Sequence, residues 1–296
     1  MWVDPVAVLC AMNRHGSFLR SVLFGCRVLC RYVGESVQVM GVSHAATGAA
    51  VWFLAAAAVP STFGAVSGVD GPGLAVGALV AAGAALLPDV DHRHGTIARS
   101  LPPLSSIAAR VTEKLSGGHR QGTHSLVGLA LSVFLASLVA HVRRDVGGYG
   151  ELNVGAGAAA VLLSAFAIRA LELVKGRVLM WLTSLALAAV VVFFGADNWV
   201  WFPAAVAVGY AAHLLGDLVT TGGIPVLWPF VLKPPAWWRK VPLLSDVWKS
   251  NGAISIPLLG DAGSTREKIL TSLVTAWMVW VAVYQWGGVN LLAWAA

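Results

Sequence analysis

The sequence predicts an all-α fold, a polytopic transmembrane helical bundle of about five to seven spans with a His/Asp site on its cytoplasmic side. Three observations predict it. Hydrophobic residues make up 57% of the 296 residues and charged residues only 11%, against about 25% charged in soluble domains. The apolar residues form continuous runs of helical length, not the alternating pattern of membrane strands. The 13 Trp suit the boundary between lipid and water.

Residues 1–39 differ from the rest of the chain. They hold all three cysteines and an interrupted apolar pattern, without the apolar core of a signal peptide. Two interpretations stay open: this extension lies on the membrane surface as an amphipathic segment, or translation begins at Met40 and the extension is not part of the protein. Because every cysteine precedes residue 31, no disulfide links the main body.

Seven apolar runs alternate with polar breaks in the remainder. They predict a transmembrane bundle over 40–216, which carries the polar site, and a C-terminal transmembrane helix over 268–296. The predicted spans are 45–60, 73–88, 125–140, 154–172, 178–194, 199–216 and 268–286. The Trp- and Pro-rich residues 217–267 predict a segment that lies along the membrane interface. Within it, 241–244 and 253–259 are interpreted as a small hairpin.

Basic residues orient this bundle. With a cytoplasmic N-terminus, the basic loops fall on the cytoplasmic side, as the positive-inside rule requires, and Arg143 and Arg144 are the exception. We therefore expect a multi-pass membrane protein whose site faces the cytoplasm. The scattered charge lacks the basic stripe of a nucleic-acid-binding protein, so the expected partner is membrane lipid and not nucleic acid. The sequence leaves the oligomeric state open.

Histidines and aspartates gather at span ends on that side, in four segments that are distant in sequence. The candidate metal ligands are His44, Asp89, Asp91, His92, His119, His124, His213 and Asp217. Imidazole nitrogen and carboxylate oxygen are common ligands in hydrolytic metal sites. We expect a divalent metal, Zn or Mn, as one or two ions. A single histidine at a helix end is more often structural, so the prediction depends on the convergence of the four segments.

Spacing assigns roles within this set. His213 and Asp217 are four residues apart, so on a helix they share one face and can bind one ion. Asp89 and Asp91 both turn inward only if the backbone there is extended. One of these two acids is expected to act as general base or bridging ligand, and Arg120 is expected to pair with a substrate phosphate.

The motifs LLPDVDH, HRQGTHSL and HLLGDLVTTGGIPVLWPF, with the histidine that begins the first span, resemble a family of bacterial inner-membrane metal-dependent hydrolases, some of them known as LexA-regulated proteins. The resemblance covers about residues 41–232. Gln121 departs from it, because the family has a glycine directly after the arginine. The resemblance implies that the family's polar positions are His44, Asp89, Asp91, His92, His119, Arg120, His124, His213 and Asp217.

We therefore expect a membrane-bound metal-dependent hydrolase that uses metal-activated water on an ester or phosphoester. A lipid-like substrate is favoured, since an amphiphile presents its headgroup at the membrane interface. Two alternatives belong to other classes. A metal-ion transporter would place its ligands near the bilayer midplane, and a non-catalytic protein would use the metal only to hold helices together.

Overall fold

The computed structural model describes residues 39–58, 71–194, 199 and 201–286. The described residues from Met40 onward belong to one compact unit. The two interpretations of the N-terminal extension fall, except for Val39, outside the described residues, and they stay predictions.

Most described residues are helical. The α-helices are α1 (Val39–Ala58), α2 (Gly71–Ala84), α3 (Leu104–Leu115), α4 (Leu126–Ala140), α5 (Val154–Ala170), α6 (Arg177–Phe194), α7 (Trp201–Leu218), α8 (Pro242–Val247) and α9 (Thr265–Trp286). Three short 3-10 helices span Pro88–Asp91, Gly122–His124 and Trp238–Lys240. All the α-helices except α3 and α8 coincide with predicted apolar runs, so the prediction of a mainly helical fold is confirmed.

The all-α prediction is wrong at one place, where two short strands form an antiparallel hairpin. Strand β1 (Arg144–Val146) pairs with β2 (Gly150–Leu152), with Asp145 opposite Glu151. Glycines explain the turn, because Gly148 and Gly150 adopt positive φ angles that other residues rarely tolerate. Helix prediction from apolar runs missed the hairpin because it lies in a polar break.

The hairpin predicted from 241–244 and 253–259 is also wrong. Pro242 begins helix α8, a position where its missing N–H costs nothing. Ile254 instead exchanges backbone hydrogen bonds with Ile224, both at 2.9 Å. The second half of 217–267 therefore folds back onto the residues that directly follow α7.

Helix α2 occupies the centre of the bundle and contacts α5, α6 and α7. Small residues allow this close packing. A Cβ atom on Gly77 would lie 2.6 Å from the ring of Trp52 in α1, and one on Gly209 of α7 would collide with the backbone carbonyl of Ala81. Because α1 and α7 approach α2 so closely, their polar ends lie beside the 3-10 helix that follows α2.

Membrane-crossing character varies among the helices. Among the described residues, one helical stretch, Leu74–Asp91, is by itself long and apolar enough to cross a membrane, and 67% of it is buried. Shorter apolar helices cover Gly41–Ala56, Leu126–Ala140, Val154–Ala170 and Arg177–Val190. Helix α4 also exposes large apolar side chains, including Leu131, Phe134 and Leu138. The number of spans stays a prediction.

Candidate metal centre

Four segments supply the polar side chains of the site. They are the N-terminal part of α1, the 3-10 helix after α2, the loop and 3-10 helix before α4, and the C-terminal part of α7. The packing of α1 and α7 against α2 brings these segments together. Three overlapping groups can hold a metal ion, each with its ligand atoms within 4.8 Å of one another: His44, Asp89 and His213; His124, His213 and Asp217; Asp89, Asp91 and His119.

The group of His124, His213 and Asp217 is the most deeply buried. The two Nε2 atoms of the histidines lie 3.2 Å apart. Oδ2 of Asp217 lies 3.4 Å from Nε2 of His124 and 3.6 Å from Nε2 of His213. A tetrahedral ion with bonds of 2.0–2.1 Å has ligand atoms about 3.4 Å apart. The three atoms therefore have the spacing of one face of a metal coordination sphere.

Hydrogen bonds fix the tautomers of both histidines. Nδ1 of His213 donates to the carbonyl of Ala85 at 2.7 Å. The Thr123 hydroxyl donates its one hydrogen to Asp91 at 2.7 Å, so at 3.1 Å from Nδ1 of His124 it acts as an acceptor. Each Nε2 then carries a lone pair directed into the site. Burial also lowers the pKa of His124, which favours the neutral imidazole that binds metals.

The carboxylate of Asp217 supplies a second observation. Its side chain is 1% exposed, and Oδ2 is buried without a hydrogen-bond partner. Native proteins rarely leave a buried carboxylate oxygen unpaired, because such burial costs several kcal/mol, of order 1–3 even for a neutral group. Two lone-pair nitrogens and one unpaired carboxylate oxygen directed at the same point fit a cation.

Asp91 and His119 form a more open part of the site. Oδ1 of Asp91 accepts from Nδ1 of His119 at 2.8 Å, and this bond raises the pKa of His119. Oδ2 accepts from the Arg120 backbone N–H at 3.2 Å and from Thr123 at 2.7 Å. Asp91 thus orients His119 through Nδ1, as carboxylates beside metal-binding histidines commonly do.

The sequence predicted that Asp89 and Asp91 both turn inward only from an extended backbone. This condition is wrong, because Pro88–Asp91 is a 3-10 helix. Both acids nevertheless reach the site, since the site surrounds this short helix on two sides. Asp91 faces the loop before α4, while Oδ1 of Asp89 lies 3.5 Å from Nε2 of His124. Asp89 belongs to two of the three groups and is 19% exposed in its side chain.

The remaining predicted ligands lie on opposite sides of the site. His44 is buried and stacks on His213 with ring centroids 3.8 Å apart, and its Nε2 lies 3.6 Å from Oδ1 of Asp217. His92 is exposed at the rim and contacts the ring of His119 edge-on at 4.9 Å. His92 belongs to none of the three groups, so the structure brings seven of the eight predicted ligands together and leaves His92 beside them.

Sequence comparison matches residues 39–173 and 176–289 to the family described as "YdjM inner membrane protein". The chain belongs to the YdjM inner membrane protein family. The two matched segments cover most of the chain and include all eight predicted ligands. No curated protein and no solved structure matches it. The resemblance to an inner-membrane family is thus confirmed, and the hydrolase activity that it implied stays a proposal.

Arg120 of this YdjM-family chain links two of the buried acids. Its backbone N–H contacts Asp91, and its Nη2 donates to Oδ1 of Asp217 at 3.2 Å. The residue has a φ of 59°, a left-handed conformation that costs a non-glycine residue about 1–3 kcal/mol. Gly222 leaves room for the guanidinium, since a Cβ there would collide with Nη1. Arg120 thus holds Asp217 with Oδ2 turned toward the histidines.

Sequence reasoning missed several groups that support the ligands. The carbonyl of Ala85 has no signal in the sequence, because every residue carries one. Tyr210 donates from its hydroxyl to the carbonyl of Thr123, and its spacing of three residues from His213 placed it on the same face of α7. The ring of Trp228 packs over Gly122, where an added Cβ would lie only 3.1 Å from a ring carbon. These contacts fix the loop that carries His124.

Proposed function

We propose that this YdjM-family protein is a multi-pass inner-membrane hydrolase, with its site on the cytoplasmic side, that acts on an ester or phosphoester of a lipid-like substrate. The proposal depends above all on the arrangement of His124, His213 and Asp217, where two imidazole lone pairs and an unpaired carboxylate oxygen meet. A divalent ion held there would supply Lewis acidity and a water molecule activated for attack on an ester. The more exposed groups around it are suited to hold a substrate.

The residues of the chain divide this work. His124, His213 and Asp217 would hold the ion, and His44 of α1 stacks on the ring of His213. Asp89 is the most exposed of the three acids, so it is the base proposed to take a proton from the attacking water. Asp91 instead positions His119, because both its oxygens already accept hydrogen bonds.

Arg120 has two roles to fill in this proposal. Its ion pair orients Asp217, and its side chain is 24% exposed, so a substrate phosphate can reach the guanidinium from outside. Arginine suits both, because its planar fork donates several hydrogen bonds at once.

Metal content of the detergent-purified protein tests the site. We expect Zn or Mn in stoichiometric amount in the wild type and its loss in His213→Ala, which removes a nitrogen shared by two groups. His141→Ala is the matched control, since His141 is exposed at the end of α4 and its ring contacts the Ser137 carbonyl, outside the site. Equal metal content in the wild type and His213→Ala would contradict the assignment.

Activity is tested on phospholipids and on soluble ester and phosphodiester substrates. We expect turnover that chelator removes, that added metal restores, and that Asp217→Ala abolishes. Turnover that survives chelation or Asp217→Ala would refute the hydrolase. Stabilisation by metal without turnover on any substrate would favour the non-catalytic alternative. Metal flux into sealed vesicles, lost in the same variant, would favour the transporter.

A further inference from the structure

Helix α3 carries an unpartnered apolar face. Leu104, Ile107, Val111 and Leu115 recur every three or four residues, so they form one stripe along the helix. These side chains are between 50% and 76% exposed. In a water-facing helix this stripe would pack against the body of the protein, whereas here it points away from it.

The opposite face of α3 attaches the helix to the protein. Ala109 is fully buried, and the hydroxyls of Ser105 and Ser106 donate to the carbonyl of Ala98 at 2.8 and 2.9 Å. Glu113 pairs with Arg93 at 2.5 Å on the same side. These contacts fix the rotation of α3 about its axis, so the outward direction of the apolar stripe is built into the fold.

Two basic side chains flank the stripe. Arg110 and Lys114 are exposed and follow Ile107 along one edge of the helix, at 100° per residue. Neither forms an ion pair with another residue in the described part of the chain. An apolar stripe bordered by unpaired positive charge is the pattern of a helix that lies in the plane of an anionic membrane surface.

We propose that α3 lies in the membrane interface, with the apolar stripe among acyl chains and with Arg110 and Lys114 at the level of anionic lipid headgroups. Its 12 residues extend only about 18 Å, too short to cross the bilayer. Membership of an inner-membrane family supplies the lipid surface that the stripe needs. Because α3 contacts the 3-10 helix with Asp89 and Asp91, this docking holds the rim of the His/Asp site against the headgroup layer.

Spin-label accessibility of the full chain in lipid nanodiscs tests the position of α3. Labels are introduced by Ile107→Cys and Val111→Cys, with Gly147→Cys in the open hairpin turn as control, after Cys10, Cys26 and Cys30 are changed to Ser. We expect oxygen to reach the two α3 labels far better than a water-soluble nickel reagent, and the reverse at position 147. An apolar face inserts about 5–10 Å below the headgroup boundary, which sets the expected depth.

Every other result overturns the proposal. Full access of the nickel reagent to both α3 labels would place the helix in water. Exclusion of both reagents, with spin–spin broadening, would instead show that a second copy of the chain covers the stripe. Neither readout requires bound metal or turnover, so this test is independent of the proposed hydrolase.

The basic edge is tested with lipid headgroups. Arg110→Gln combined with Lys114→Gln should weaken the apparent affinity for phosphatidylglycerol about 30-fold, since each basic residue near an anionic surface contributes about 1 kcal/mol. The affinity is followed as thermal stabilisation by titrated phosphatidylglycerol, with phosphatidylcholine as the uncharged lipid. Arg144→Gln on the hairpin is the control and should change nothing. Equal stabilisation of the double variant and the wild type would overturn the role assigned to this edge.

Discussion

The Thr123 hydroxyl connects the two parts of the His/Asp site, and its removal tests the tautomer argument directly. The hydroxyl donates to Asp91 at 2.7 Å and accepts from Nδ1 of His124 at 3.1 Å. Thr123→Val keeps the shape of the side chain but removes both bonds. The imidazole of His124, which is 0% exposed, is then left with a buried N–H and no acceptor.

The expected loss follows from these two bonds. A hydrogen bond to a charged group contributes about 1.5–3 kcal/mol, and an unsatisfied buried donor costs about 1–3 kcal/mol. His124 avoids much of this cost by moving its proton to Nε2, which removes the lone pair directed at the metal position. Loss of such an orienting partner typically weakens metal affinity about 10- to 100-fold, equivalent to about 1.4–2.7 kcal/mol.

Competition with a chromophoric chelator measures this affinity in detergent. We expect Thr123→Val to bind Zn 10- to 100-fold more weakly and Thr123→Ser to bind it nearly as the wild type does, because serine restores the hydroxyl. Ser137→Ala is a matched loss of a hydroxyl on α4, outside the site. Wild-type affinity in Thr123→Val, with a normal unfolding temperature, would refute the claim that the hydroxyl sets the tautomer of His124.

Three further predictions concern the support of the site. Asp91→Asn should weaken metal binding about 10- to 100-fold by releasing His119, as measured by the same competition, and an unchanged constant would assign Asp91 no orienting role. In metal-free protein, the hydrogen bond to Asp91 raises the pKa of His119. The stability that this bond contributes should therefore be present below about pH 6.5 and disappear as the pH rises through the higher pKa of the folded state. The unfolding temperatures of the wild type and His119→Gln should converge as the pH rises, and a constant difference between them would contradict this. Gly209→Ala should lower the free energy of unfolding by about 1–3 kcal/mol, because the new methyl group meets the rigid carbonyl of Ala81, whereas Gly147→Ala, with open space around it, should not.

Local spacing predicted those parts of the site that lie on one helix. His213 and Asp217 follow from a separation of four residues, and the structure places their ligand atoms 3.6 Å apart. Helix geometry alone determines that these two side chains face each other.

Parts that depend on tertiary contacts were less accessible to sequence reasoning. The left-handed backbone of Arg120 exists because its N–H and its guanidinium are both held by acids from other segments. Asp89 and Asp91 meet the site from a 3-10 helix because α7 and the loop before α4 approach that helix from different directions. Helix α3 was not predicted because it lies in the polar break between two apolar runs and its own apolar residues recur on one face only.

Charge balance connects the buried acids to the need for a cation. Three carboxylates, Asp89, Asp91 and Asp217, lie in the site with one guanidinium, Arg120, so the acids outnumber this cation by two. Two of these acids are 1% exposed, and a buried charge is costly unless it is paired. A divalent ion would offset this excess of negative charge, and Nε2 of His124, Nε2 of His213 and the unpaired oxygen of Asp217 are the atoms proposed to hold it. The same acids that make the metal-free site costly thus favour a divalent cation, so we expect metal affinity and the stability of the metal-loaded protein to fall together in the ligand variants.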